Sequence, residues 1–327
     1  MINKFKKCKL YIKYEIIVII NKKFKIIFYN ILFLLIFFIE FKYIKNKEKK
    51  DIKIALCTIG KKENLYIKEF VDYYIRLGID HIFIYDDNDL QTDKMSNIIN
   101  KSDYEQYVTI YENIKDKIKL QTDAYNTCYQ NNNKTFDWLL MIDMDEYLYI
   151  NHISLKNYLK KSIFKACDFI KFNWVLPTDN NLVYYDNRSL FERFKKPYIK
   201  SGFVKSIIRG NIKGLKYSIH SPYESPERNI TCNSRGKKIK YKIMNFDFMK
   251  PIEIKYAYII HYKYKSTEEY INKYKRGYNT WLGDRLNEVL FIKIEEYLRD
   301  NKNTLEKLNY FERELKLNLS KFKKNLK

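Results

Sequence analysis

Cysteine is sparse and unpatterned in this chain of 327 residues: Cys8, Cys57, Cys128, Cys167 and Cys232. No C-x-x-C occurs, and no zinc-ligand spacing. An odd, scattered set is not a disulfide framework, so buried free thiols are expected. Glycine (8) and proline (5) are scarce too, while Lys, Asn and Ile crowd the chain. Much of the lysine excess therefore reads as compositional bias. There is no C2H2 pattern and no basic-aromatic RNA-binding signature, which leaves nucleic-acid binding as a bland alternative. No internal repeat is present, which excludes a solenoid or propeller.

What is present is a globular composition: 46% hydrophobic and 31% charged residues, with 21 Phe and 31 Tyr. The length allows one large domain or two small ones. The formal net charge of +23 favours anionic partners, from nucleotides and phosphates to lipid head groups.

The first 50 residues stand apart as a basic segment. Lys-rich flanks surround "IIFYNILFLLIFFIEFKYI", residues 26–44. Its apolar part falls short of the roughly 20 residues that span a bilayer. Glu40 and Lys42, taken as snorkelling ends, extend it far enough. No small-residue cleavage site follows. The expectation is a single-pass or membrane-associated protein, anchored by a helix over 26–44. Its soluble part would face the cytoplasm in a bacterium or the Golgi lumen in a eukaryote. An amphipathic or buried helix is the alternative.

The catalytic-sized part is expected at 51–280. "IKIALCTIG" (52–60) reads as a buried strand and turn. Tyr66, Phe70, Tyr73, Tyr74 and Leu77 recur at helical spacing, and Gly78 ends that helix. "HIFIYDDND" (81–89) is a second strand stopped by acids, so the three elements form a βαβ unit. Further strands are expected at 107–112, along "FDWLLMIDMDEYL" (136–148) and at 167–176, with a helix at about 118–130. The stretch 180–250 is irregular. Ser266-x-x-Glu269 is a capping box that opens a helix. Residues 281–327 read as a C-terminal helical extension. The fold class is α/β: a Rossmann-like, mostly parallel sheet covered by helices, with ligands at the carboxyl ends of its strands.

The acids of "WLLMIDMDEYLYI" (138–150) carry the chemistry. In an extended strand, residues i and i+2 share a face. Asp143 and Asp145 would then aim two carboxylates at one point, where they repel unless a cation lies between them. Oxygen ligands suit Mg²⁺ or Mn²⁺. Such a cation, with open positions, binds a diphosphate and stabilises it as it leaves, which is the chemistry of glycosyl transfer from a nucleotide-sugar donor. The bland reading is a helix cap or pairing with surface lysines. Lys205 and Arg209 are candidate diphosphate partners, because Arg bonds phosphate oxygens bidentately; Lys265 and Arg276 are others. Glu146, Asp179 and Glu192 are candidate bases for the acceptor hydroxyl. Trp174 and Trp281 are core residues or sugar-stacking platforms.

Several of these elements resemble, in order, glycosyltransferase family 2-like and family 92 domains, which have the A-type glycosyltransferase fold. They are "IALCTIGKKENLYIKEFVDYYIRLGIDHIFIYDDND", "WLLMIDMDEYL", "NRSLFERF" (187–194), "KSIIR" (205–209) and "IIHYKYKSTEEYINKYKRG". The last matches the family pattern "HY-x-x-KS-x-E-E-F-x-x-K-x-x-RG". The resemblance runs from about residue 52 to 277. It implies a hexosyl-type transferase with a nucleotide-sugar donor and a divalent cation. By analogy Thr58, Lys61, Glu63 and Asn64 line the nucleotide pocket, and Asp86 meets the base or ribose. Asp143 faces the ribose and donor sugar, Asp145 binds the metal, and His261 completes the metal shell. "YDDND" stands where "YDN" is usual, and the glycine-rich turn common in these families is absent around "FNWVLPTDNN". The acceptor is a glycan, lipid or protein. A non-catalytic nucleotide- or glycan-binding module and a nucleic-acid-binding protein remain as other classes.

Overall fold

The computed structural model describes residues 33–37, 51–89, 91–99, 101–114, 118, 121–196, 198–224, 229–239, 247–275 and 286–323. The chain divides into two compact units, Met1–Asp51 and Ile52–Lys327. Of the first unit, 33–37 is helical, with Phe33 to Phe37 exposed. Among the described residues, no helix is long and apolar enough to cross a membrane. Most of the expected anchor, and Cys8, Arg276 and Trp281, lie outside the described residues.

Among the described residues, the second unit is built on a nine-stranded sheet in the order β3 (Val108–Tyr111), β2 (His81–Asp86), β1 (Ile54–Gly60), β4 (Trp138–Met141), β7 (Tyr198–Arg209), β6 (Phe169–Pro177), β11 (Ala257–His261), β5 (Glu146–Ile150), with β10 (Thr231–Asn233) also paired to β6; β8 (Lys216–Tyr217) and β9 (Pro222–Glu224) form a separate two-stranded sheet. Its left half is the expected βαβ unit. Strand β1 (Ile54–Gly60) lies parallel to β2 (His81–Asp86), and β2 to β3 (Val108–Tyr111). Helix α1 (Ile67–Leu77) crosses between β1 and β2, and Gly78 caps it at φ 100°, a conformation that favours glycine. Strand β4 (Trp138–Met141) is parallel to β1 on its other side.

Both faces are buried, and alternation assigns each side chain. Ile54, Leu56, Ile82, Ile84 and Leu140 join α1 residues Phe70 and Tyr74 in one core. Ala55, Cys57, Phe83, Tyr85, Leu139 and Met141 face the other way, against Tyr125, Cys128 and Tyr129 of α2 (Gln121–Asn132).

The right half departs from a purely parallel plan. Strand β7 (Tyr198–Arg209) runs antiparallel to both β4 and β6 (Phe169–Pro177). Strand β11 (Ala257–His261) lies parallel to β6 and antiparallel to β5 (Glu146–Ile150). β10 (Thr231–Asn233) is parallel to β6. Five pairings of this sheet are thus parallel and three antiparallel among the described residues, so the sheet is mostly parallel as expected.

Two expectations fail here. The first is the free thiols: Cys57 bonds Cys128 and Cys167 bonds Cys232. Packing α2 on β1 brings one pair to a Cα separation of 6.2 Å, and the other pair lies at 5.8 Å, both within disulfide reach. The second is the single long strand through the acids. It breaks at Ile142, turns, and resumes as β5 in another part of the sheet.

Helix α3 (Thr267–Lys275) starts at the expected capping box: Ser266 Oγ donates to Glu269 Oε2 (2.7 Å) and accepts from its backbone N–H (3.3 Å). Helices α4 (Leu286–Asp300) and α5 (Leu305–Leu315) pack on α3 through Tyr264, Tyr270, Tyr297 and Phe311. Asp179 anchors them. It is 1% exposed, accepts from Tyr297 Oη (2.5 Å), and pairs with buried Lys307. It is thus a structural carboxylate, not the acceptor base considered above.

Candidate active site

A cleft of about 410 Å³ opens at the carboxyl ends of β1, β2 and β4. Gly60, Lys61 and Glu63 line it from the end of β1 and the loop after it. Asp87 lines it from just beyond β2, and Asp143 to Asp145 from the β4–β5 turn. α2 contributes Gln121 and Thr122, and α3 contributes Lys273. This is where an open α/β sheet places a ligand.

The acids sit in a tight turn rather than an extended run. The Glu146 N–H donates to the Asp143 carbonyl (3.1 Å), and Glu146 Oε2 accepts from the Asp143 N–H (3.1 Å). The two aspartates have different partners. Asp143 Oδ1 accepts from Lys205 Nζ (2.7 Å), Tyr125 Oη (2.5 Å) and Gln121. Asp145 Oδ2 accepts from Lys273 Nζ (2.8 Å), with His261 Nε2 at 3.5 Å. Trp174 packs edge-on against His261, with ring centroids 4.3 Å apart. At 8% exposure, Trp174 supports that imidazole rather than offering a platform for a sugar.

The charges balance locally. Burial acts to raise the Asp145 carboxyl, but Lys273, His261 and Lys265 outweigh it and hold it well below its usual range. Asp143 is likewise lowered: burial works against ionisation, and Lys205 overcomes it. Glu146 goes the other way. Burial, seconded by Asp143 and Asp145, raises it well above the carboxylate range despite Lys205. Burial also lowers His261, against the pull of Asp145. Lys205 thus pairs with Asp143 and Lys273 with Asp145, while burial disfavours the charged form of Glu146.

The model of glycosyltransferase family 92 matches residues 50–300. The chain belongs to glycosyltransferase family 92. It is similar to a family 92 protein of Oryza sativa subsp. japonica, 28% identical over 109 residues, which are 33% of this chain and 18% of that protein. A family 92 protein of Ricinus communis is 24% identical over 102 residues, 31% of this chain and 18% of that one. The chain thus spans under a fifth of the length of the curated relatives it matches. Among solved structures it is similar to a CMP:2-keto-3-deoxy-manno-octonic acid synthetase complexed with CTP. That likeness has a TM-score of 0.26 and 10% identity, covering 48% of this chain and 74% of the other, which is too distant to carry an inference.

The family 92 motifs meet at the cleft unevenly. Lys61, Glu63, Asp143 and Asp145 line it. Thr58 is fully buried behind it, its hydroxyl without a partner. Asn64 holds the loop, donating to the Asp93 carbonyl (2.7 Å). Asp86 is spent on backbone, accepting from the Asn88 N–H (2.9 Å) and the Met95 N–H (2.8 Å). The acid that lines the cleft is its neighbour, Asp87. Alternation explains the swap: successive residues at a strand end point to opposite sides.

Three further expectations do not survive. Arg209 lies at the other end of the sheet, opposite Trp138 at the start of β4. Its guanidinium donates to the Cys167 (2.9 Å) and Phe164 (3.0 Å) carbonyls and stacks on Trp138, so it is not a diphosphate residue. Lys205, with no side-chain exposure, is committed to Asp143 and the Ile219 carbonyl. Glu192 is an exposed helix cap, bonded to Ser189 Oγ (2.8 Å). Residues missed beforehand are Gln121 and Tyr125, which hold Asp143, and Lys273. Lys273 is the lysine of the "E-E-F-x-x-K" pattern, so its signal was in the motif. Gln121 and Tyr125 carried none, because only α2 packing brings them to the turn.

For a divalent cation, Asp145 and His261 offer one oxygen and one nitrogen donor. Open positions would remain for phosphate and water, which suits Mn²⁺. Asp143 Oδ1 is already taken up by Lys205 and Tyr125. Among the described residues, no group of three or more His, Cys, Asp or Glu side chains comes together to hold a metal.

Proposed function

We propose that this protein transfers a hexosyl group from a nucleoside-diphosphate sugar to a glycan, lipid or protein acceptor. The observation that carries the reading is the cleft at the strand ends, where Asp145 and His261 meet beside Asp143, Asp87 and Lys61. Family 92 membership supports it. Mn²⁺ or Mg²⁺, held by Asp145 and His261 with the donor diphosphate, would neutralise the charge that grows on the leaving group. Asp143, fixed by Lys205, Tyr125 and Gln121, borders the same space and would face the donor's ribose and sugar. Glu146 is fully buried behind the turn and braces it; it is a support for the acids rather than a base.

Two disulfides favour an oxidising compartment, which supports the Golgi-lumen alternative over the cytoplasmic face. The anchor over 26–44 is proposed from its sequence, with carbonate extraction of membranes as its check.

The test is a donor panel. The full chain is incubated with UDP- and GDP-sugars in Mn²⁺ or in EDTA, and nucleoside diphosphate release is measured. EDTA-sensitive turnover with one donor is expected. No turnover and no cation-dependent donor binding across the panel would refute the reading.

A further inference from the structure

Lysines surround the cleft, but most of them are committed. Lys205 is buried and tied to Asp143 and a backbone carbonyl. Lys265 lies over the Tyr66 ring, 4.0 Å from its centroid, and is paired to Glu63 at 3.1 Å. Lys273 is more exposed than either. Its side chain is 30% exposed, against 8% for its partner Asp145. It lines the main cleft and also a side cavity of about 150 Å³, shared with Lys62, Tyr66 and Asn272. It therefore stands in the wall between two spaces and has room on either side.

Its ammonium lies on Asp145 Oδ2, the atom that also faces His261. A carboxylate so little exposed needs a counter-charge, and Lys273 supplies it. A divalent cation bound between Asp145 and His261 would need the same oxygen. A dication on that oxygen would stand against the Lys273 ammonium, 2.8 Å from it, and like charges so close repel. Binding the dication therefore drives the ammonium off. Once displaced, a lysine tethered on the second turn of α3 remains at the cleft wall, where a diphosphate bound to the metal would bring negative charge.

We propose that Lys273 is an exchangeable internal cation. It holds Asp145 when no donor is bound, yields that carboxylate to the metal, and moves onto the diphosphate of the incoming donor. This rests on the donor-cleft reading above and adds a role for a residue outside it. The arrangement couples metal and donor. The metal alone binds weakly because it competes with Lys273, and a diphosphate aids metal binding by giving the ammonium another partner.

The experiment uses the full chain and the variants Lys273→Met and Lys273→Arg, with Mn²⁺ alone and with UDP and GDP as probes. Mn²⁺ affinity without nucleotide is read by electron paramagnetic resonance, and nucleoside diphosphate affinity in Mn²⁺ by calorimetry. Lys273→Met should bind Mn²⁺ at least about tenfold more tightly and the nucleoside diphosphate at least about tenfold more weakly, each tenfold being about 1.4 kcal/mol. Lys273→Arg should restore much of the nucleotide affinity. Opposite changes are the signature, because a merely structural lysine would weaken both or neither. Equal losses in both, or no change in either, overturn the proposal while leaving the donor-cleft reading intact. Should Lys273→Met fail to fold, Lys273→Gln replaces it under the same criteria. Absence of Mn²⁺ and nucleoside diphosphate binding in the native chain instead removes the donor-cleft reading, and this proposal with it.

Discussion

The Tyr125 hydroxyl donates to Asp143 Oδ1 at 2.5 Å, reaching from α2 to the turn that carries the acids. It shares that oxygen with Lys205 at 2.7 Å. A helix on one face of the sheet thereby fixes a carboxylate at the sheet's end. Tyr125→Phe keeps the ring in its core and removes this bond. A hydrogen bond to a charged group is worth about 1.5–3 kcal/mol, so denaturant unfolding should show a loss of that size. Donor KM should rise as Asp143 loses one of its ties. An unchanged stability and KM would show that Asp143 does not depend on this contact.

Asp145 and Arg209 separate the cleft from the scaffold. Asp145→Asn should lower turnover about 100- to 1000-fold, the scale for losing a metal's charge stabilisation. Arg209→Met should leave donor KM alone and lower Tm, since the guanidinium ties the Phe164 and Cys167 carbonyls to β7. Glu192→Gln should leave turnover unchanged. Steady-state kinetics beside thermal melts decide these, and an Arg209→Met variant with a raised donor KM and a native Tm would return that residue to the site.

The cysteines give a direct chemical check. Alkylation under denaturing, non-reducing conditions should label Cys8 alone, with the other four labelled after reduction. The Cys57–Cys128 bridge closes a separation of 71 residues. Removing it as Cys57→Ala/Cys128→Ala should cost about 4 kcal/mol by loop-closure entropy. Five labelled cysteines before reduction would sink the pairing and the argument for an oxidising compartment.

Lys171 sets a pH dependence. Burial lowers its ammonium from the ordinary 10.5 to about 7, only partly offset by Asp247. Below pH 7 both folded and unfolded chains carry the proton, and the folded state bears the full cost of a buried charge. Between pH 7 and 10.5 the unfolded chain keeps a proton that the folded one has released, so this group's cost falls as pH rises. Lys171→Met loses a bond to Ser221 Oγ (3.1 Å) but carries no charge. Its stability relative to the native chain should therefore be highest near pH 6.5 and decline toward pH 9.5. A difference in Tm that stays flat over that range would show that Lys171 is not destabilised by burial.

The left half of the sheet was legible because its signals are local. The apolar run ending at Gly60, the helical recurrence from Tyr66 to Leu77 and the Ser266 capping box need only their own neighbours. β7 was not legible. Lys200, Ser201, Gly202 and Lys205 interrupt its apolar pattern, and pairing on both sides by β4 and β6 overrides that composition. The acids were found by motif, but their geometry was misjudged. An i, i+2 argument holds within a strand, and here the chain turns between two strands that lie apart in the sheet.

The sequence by itself determined where in the chain the acids of the cleft fall, because family motifs and acids at a strand end are written in neighbouring positions. It also determined the βαβ half of the fold, because hydrophobic period is a local property. The tertiary structure alone decided which charge meets which. Lys205 went to Asp143, Lys273 to Asp145, Asp86 to backbone and Arg209 to the far end of the sheet. The same packing paired the cysteines. The lysine–aspartate contacts join residues 62 and 128 positions apart, and partners are chosen by distance, burial and charge balance, none of which a linear pattern records.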